Sequence, residues 1–196
     1  RRVLAVVLAA ALFSGLVFNG VSISLPKLFD ERLAAIAPAL SGIGGYTAAV
    51  FAVAAFAQLP VGAALDRIGG RPLMIGIYLA AAAALALLAG AAGWPALPAA
   101  LAAVTLMFAG IPISGWLVAR HVPQAWRGRA FAFEYVLALG ASALVVPAMA
   151  ALHGLGFGFT WQYLILAAAA AMVALAGLLL PRPARPPRPR PAPRAG

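Results

Sequence analysis

The 196-residue chain has no cysteine, and only four acidic residues against fourteen Lys and Arg. Without cysteine there is no disulfide framework, no thiolate metal site and no thiol nucleophile. Charged residues make up 9% of the chain, against about 25% in an average soluble domain. So little charge cannot solvate the surface of a globular domain of this length, which excludes a soluble fold as the leading reading. Hydrophobic residues make up 65% and the mean hydropathy is +1.01, which excludes disorder over most of the chain. What remains is an all-α membrane protein that crosses the bilayer several times.

Other function classes fall away on position rather than count. The net charge of +10 would suit nucleic acid. The cations, however, stand at the ends of apolar runs and in the tail, with no basic face inside an element, so no nucleic-acid partner is expected. His121 and His153 sit at span ends without a second ligand at metal spacing, so no metal site is expected. Gly154, Gly156 and Gly158 have the spacing of half a dinucleotide fingerprint, but no strand precedes them, and no cofactor is expected. An intramembrane serine protease would need a G-x-S-G turn. The stretch Ile111-Pro112-Ile113-Ser114-Gly115 lacks its first glycine, and an enzyme is not the expected reading.

A helix needs about 20 residues to cross the hydrocarbon core. Six apolar runs reach that length: Val3–Leu25, Gly45–Leu65, Pro72–Ala92, Leu97–Ala119, Ala130–Ala150 and Trp161–Leu180. Residues 1–180 are therefore expected to form a six-helix transmembrane bundle. Residues 181–196, rich in Arg and Pro, are expected to form a cytoplasmic, disordered tail. The chain opens on Arg1-Arg2 without a Met and reads as a piece of something longer.

An even number of spans puts both ends on one side. That side carries Arg1, Arg2, Arg67, Arg71, Arg120, Arg127, Arg129 and the five Arg of the tail, while the other carries only Lys27 and Arg32. By the positive-inside rule both termini are expected in the cytoplasm. Trp94 and Trp161 then fall at the outer interface and Trp126 at the inner one. Residues 26–44, with Lys27, Asp30, Glu31 and Arg32, are expected to form a longer outer segment.

Between spans 2 and 3 the chain reads Gly62-Ala63-Ala64-Leu65-Asp66-Arg67-Ile68-Gly69-Gly70-Arg71-Pro72. Gly62 would allow close helix approach. Asp66 falls at a helix C-terminus, where the macrodipole disfavours negative charge, so a positive partner is expected: Arg67, Arg71 or the N-terminus of another helix. Gly69 and Gly70 can adopt positive φ in a tight turn. Pro72 is expected at the first position of the next helix. A charged turn that only sets orientation is the plainer alternative.

This segment resembles the loop signature of the major facilitator superfamily, G-x-x-x-D-R-x-G-R-[RK]-x, with matches at Gly62, Asp66, Arg67, Gly69 and Arg71. Gly70 departs from it, since a basic residue usually stands there. A degenerate copy after the second of six spans resembles the C-terminal half of a twelve-helix transporter, built from two inverted three-helix repeats. The resemblance implies secondary active transport of a small molecule by alternating access, in a bacterial inner (plasma) membrane. The five matching residues would then act as a conformational latch. The implied partners are the lipid bilayer, a small-molecule substrate, and the N-terminal six-helix half or a second copy. The alternatives are a free-standing six-helix structural or homodimeric transport subunit, and a membrane-embedded enzyme.

Polar residues inside the spans are few. Glu134 is the only acid well inside one, expected one to two turns into span 5. It is either a protonatable carboxyl that carries a coupling proton or grips a cationic substrate, or it snorkels to pair with Arg127. Asn19 on span 1, Gln58 on span 2 and Ser114 beside Pro112 on span 4 are further candidates for substrate or proton. Helix–helix hydrogen bonds are the plainer reading of each. The resemblance implies that spans 1, 2, 4 and 5 line the cavity and that spans 3 and 6 are peripheral. Gln162 is the one polar candidate read in spans 3 and 6.

Overall fold

Inside a bilayer every backbone N–H and C=O must find its partner within the protein, so an apolar chain of this kind crosses as helices. The computed structural model describes residues 2–33 and 40–180. The tail expected over 181–196, and residues 34–39 of the expected outer segment, lie outside them. The helices are α1 (Arg2–Leu33), α2 (Leu40–Ala55), α3 (Gln58–Ile68), α4 (Gly70–Gly90), α5 (Ala96–His121), α6 (Gln124–Gly154) and α7 (Phe159–Leu178). Among the described residues six stretches are long and apolar enough to cross a membrane: Val3–Leu33, Gly44–Ile68, Gly70–Gly90, Ala96–His121, Gln124–Gly154 and Phe159–Leu178.

Two expected boundaries move. Span 1 does not stop at Leu25. The helix runs through Pro26 to Leu33, because Leu28, Phe29 and Leu33 continue its buried face. Lys27 and Asp30 pair at 3.1 Å on its exposed side. Span 5 starts at Gln124 rather than Ala130, directly after Pro123. Arg127 and Arg129 are therefore helical, and Glu134 lies nearly three turns into α6, deeper than expected.

Span 2 is made of two helices. Phe56 and Ala57 form a turn, with Phe56 N–H on Val53 O and Ala57 N–H on Ala54 O. Pro60 causes it: its ring clashes with the carbonyl four residues back, at Phe56, and it has no N–H to give. That carbonyl instead accepts from Leu59 N–H at 3.2 Å. Pro147, at the matching place in span 5, leaves α6 unbroken.

The packing obeys an internal symmetry. Span 3 packs most extensively on span 6, span 1 on span 5, and span 2 on span 4, while span 1 crosses span 4. Exchanging spans 1, 2 and 3 with 4, 5 and 6 leaves this pattern unchanged. Each three-helix unit crosses three times, so the second begins on the side opposite the first and the repeats are inverted. Small residues let the helices close up. A side chain at Gly15 would meet the Ala138 backbone at 3.0 Å, where α1 approaches α6. Spans 2 and 5 bury least and present large apolar side chains outward, among them Val53, Phe56, Leu59, Phe133, Val136 and Leu139.

Candidate functional site

A cavity of about 370 Å³ lies between α1, α4, α5 and α6. It is lined on α1 from Val7 to Asn19, on α4 by Met74 and Tyr78, on α5 from Met107 to Leu117, and on α6 by Tyr135, Ala138 and Leu139. These stretches place it in the half of the bundle towards the Asp66 end. Its wall is mainly hydrocarbon. The polar exceptions are Ser14, Asn19, Tyr78, Ser114 and Tyr135.

Glu134 is not itself a lining residue; it precedes the lining Tyr135 on α6, about 15 Å from the start of that helix at 1.5 Å per residue. It is half-buried and faces Ser114 on α5. Among the described residues its Oε2 is buried without a hydrogen-bond partner. The alternative pairing with Arg127 is not made. Arg127 turns back and donates from Nε to Val122 O at 3.1 Å, which caps the end of α5. Arg129 stacks over Trp126 at 4.7 Å and Arg120 over Trp116 at 5.1 Å. Arg120, Arg127 and Arg129 are therefore spent on carbonyls and rings.

The other candidates separate. Asn19 lines the cavity, but its amide is already engaged. Nδ2 donates to Gly15 O at 2.9 Å, and Oδ1 accepts from Ser142 Oγ at 2.9 Å. Ser114 lines the cavity and donates to Ile111 O at 3.3 Å. Gln58 does not line it. It opens α3 after the break, half-buried and, among the described residues, without a side-chain hydrogen bond.

The turn between spans 2 and 3 lies at the surface. Asp66 and Arg67 are exposed in the last turn of α3, and Arg71 is half-buried. Among the described residues Asp66 forms no ion pair, so neither Arg67 nor Arg71 supplies the expected compensation. Gly69 has φ 89°, which a side chain would strain, and it closes α3 with its N–H on Leu65 O. Gly70 does not share that conformation. It is the first residue of α4, and a Cβ there would sit 2.8 Å from the Trp116 ring. The indole occupies the place of a side chain, which accounts for the departure from a basic residue. Pro72 is the third helical residue rather than the first, still within the turn whose N–H groups have no helical acceptor. Gly62 faces open space, so no close approach is made there.

Two residues take structural roles that the sequence does not announce. Tyr78, on span 3, is buried and reaches the cavity, with its hydroxyl facing Ser14. A Cβ on Gly110 would lie 2.6 Å from that hydroxyl, so the missing side chain forms the notch that holds it. A tyrosine in an Ala- and Leu-rich helix was the available signal, since a buried phenol needs a polar partner. Arg32, expected in the outer segment, lies in the last turn of α1. Its guanidinium donates to Leu88 O and Ala91 O at 2.6 Å, to Ala89 O at 2.8 Å and to Thr160 Oγ1 at 3.1 Å. It thus caps α4 with a cation at its negative end and ties that end to α7.

The sequence matches the profile of the Major Facilitator Superfamily over residues 5–196. Comparison with curated proteins and with solved structures finds no match. Family members carry out membrane transport, and six apolar helices with inverted three-helix symmetry are the architecture of one half of that fold. The chain is a multi-pass membrane protein that belongs to the major facilitator superfamily.

Proposed function

We propose that this protein moves a small molecule across a bacterial inner membrane by alternating access, as one six-helix half of a secondary active transporter. Both termini lie in the cytoplasm, so the cavity opens towards the inner side. Spans 2 and 5, with their exposed apolar side chains, meet the other half. The same faces would seat a second copy of this chain, and the molecular mass of the detergent-solubilised protein distinguishes the two. The lipid bilayer and a small-molecule substrate are its other partners. Asp66, exposed and without an ion pair among the described residues, belongs to a latch that closes against the other half in one state of the cycle and opens in the other.

One observation carries the coupling: the buried, unpartnered Oε2 of Glu134 beside a cavity walled mostly by hydrocarbon. A carboxyl in that setting calls for a proton or a cation, since an ionised group stranded in apolar surroundings is costly. Among the described residues no cation lines the cavity, which favours a neutral or cationic substrate of mainly apolar surface over an anion. Ser114 offers its hydroxyl and Asn19 only the second N–H of an amide already tied to Gly15 and Ser142, while Gln58 lies at the break of span 2 rather than in the cavity.

Carbodiimide labelling tests the role of Glu134 without a known substrate. Dicyclohexylcarbodiimide modifies protonated carboxyls in apolar surroundings. Membrane-embedded protein should be labelled at Glu134 in a pH-dependent way, and the Glu134→Gln variant should not. A Glu134 that stays unlabelled across the physiological pH range overturns the proton-carrier reading. In transport, Glu134→Gln should abolish proton-driven accumulation while exchange of substrate continues.

A further inference from the structure

The cavity wall has few polar atoms, and most of their hydrogens are already committed. Ser14, on α1, donates its one hydrogen to Ala11 O at 3.3 Å. The Tyr78 hydroxyl, on α4, faces Ser14. Between these two hydroxyls the phenol is therefore the donor and Ser14 the acceptor. Ser114, on α5, is on Ile111 O at 3.3 Å and also faces Glu134. Whichever oxygen takes it, its single hydrogen is spent. Asn19 has one N–H left beyond Gly15 O, and its Oδ1 is occupied by Ser142. Tyr135, on α6, lines the cavity without a hydrogen bond among the described residues, and its hydroxyl can give or take.

A guest therefore meets mainly lone pairs. Ser14, Tyr78 and Ser114 each keep one on the hydroxyl oxygen. The three oxygens share one stretch of the wall. Tyr78 faces Ser14 and rests in the notch of Gly110, where a Cβ would lie 2.6 Å from the phenol oxygen. Ser114 is one helical turn from Gly110 on the cavity face of α5. Three helices thus contribute one acceptor each. Phe18, Met74, Met107 and Leu139 supply apolar lining in the same cavity.

We propose that the cavity selects a hydrogen-bond donor: a primary or secondary ammonium on an apolar body, its N–H groups taken by the oxygens of Ser14, Tyr78 and Ser114. A primary ammonium has three N–H donors and no acceptor, which matches this set in number and in sign. Hydrogen bonds from a charged donor are about twice as strong as neutral ones, which favours the ammonium over an alcohol or amide. An anion meets lone pairs where it needs donors. Tyr78 is the specificity-determining residue, since Ser14 takes its hydrogen and Gly110 fixes its place. The inference rests on reading this cavity as the substrate site and narrows the substrate that it takes.

Protection of a single cysteine tests this with defined probes. The chain has no cysteine of its own. Leu139→Cys puts one on the cavity wall, on a helix that carries none of the three oxygens. Its alkylation by N-ethylmaleimide is followed for the full chain in lipid nanodiscs. The probes share a phenyl body: phenethylamine, its N-trimethyl derivative, which keeps the charge but has no N–H, and hydrocinnamate, an anion. Phenethylamine should protect at concentrations about tenfold lower than the trimethyl compound, and hydrocinnamate should not protect. Tyr78→Phe keeps the ring and removes the acceptor. It should weaken protection by phenethylamine about tenfold and leave that by the trimethyl compound unchanged. Equal protection by the two cations overturns the donor rule and leaves the cavity standing as the site. Undiminished protection by phenethylamine in Tyr78→Phe overturns the role of Tyr78. Protection by none of the probes, or by hydrocinnamate alone, overturns the cavity reading and this one with it. If Tyr78→Phe does not fold, Ser114→Ala removes another of the acceptors and should show the same selective loss.

Discussion

Ser142 on α6 donates its hydroxyl to the Asn19 amide oxygen on α1 at 2.9 Å, across the same helix pair that Gly15 and Ala138 bring into close backbone contact. The close approach and the hydrogen bond support each other. With a larger residue at position 15 the helices would stand apart and the 2.9 Å contact would be lost. Asn19 is thus a tie between spans 1 and 5 that also faces the cavity.

That tie has a measurable worth. Ser142→Ala should lower unfolding stability by about 0.6 kcal/mol, and at most roughly 2, the range for hydrogen bonds between membrane helices. Unfolding in mixed detergent micelles measures it. No change in stability would show that Asn19 finds an equal partner elsewhere, and would return it to the pool of free cavity ligands.

Arg32 should matter more than any surface cation. Arg32→Ala leaves the carbonyls of Leu88, Ala89 and Ala91 without their cap and should cost about 2 kcal/mol. Arg32→Lys should recover only part of that, because one ammonium cannot reproduce the guanidinium fork. The same unfolding assay reads both variants, and a lysine variant as stable as wild type would contradict the fork.

Gly70 can be tested against Trp116. Restoring the basic residue by Gly70→Arg drives a side chain into the indole and should destabilise by about 1–3 kcal/mol. Trp116→Ala in the same chain should recover most of the folding yield of Gly70→Arg. Equal yields for Gly70→Arg with and without that second change would disprove the steric account.

Asp66 makes no ion pair among the described residues, so Asp66→Asn should leave folding and expression nearly unchanged. On the proposed latch role transport should fall nonetheless, because the contact with the other half loses its charge. A variant that transports like wild type would reduce the segment from Gly62 to Arg71 to a tight turn.

Orientation is open to direct measurement, because a chain without cysteine needs no background removed before single reporters are placed. Cysteines at Gly93 and Gly156 should react with an impermeant thiol reagent from outside, and those at Gly69 and Ala125 only from inside. Labelling of position 69 from outside would invert the topology and remove the inner latch with it.

Membrane class, span number and the turn after span 2 could be read from residues alone, because each depends on local composition. Twenty apolar residues must be a helix in lipid, and Asp66 to Pro72 must break it. Pro60 and Pro147 stand at matching places in spans 2 and 5, yet only Pro60 breaks its helix, and the residue type does not separate them. The length of α1 was misread because Lys27, Asp30 and Glu31 look like a loop, although Leu28, Phe29 and Leu33 keep the helical spacing of the buried face.

What the sequence alone determined is an all-α, six-span membrane protein with one acid deep in span 5. Local hydropathy, proline and glycine dictate those features within a window of a few turns. Tertiary structure alone decided that Tyr78 enters the cavity past Gly110, that Arg32 closes α4, that Asn19 is held by Ser142, and that Glu134 is left without Arg127. Each of these depends on how a helix is rotated about its own axis. A helix that is apolar all round carries no amphipathic stripe to announce that rotation. It is set only when glycine notches and hydrogen bonds from distant helices meet.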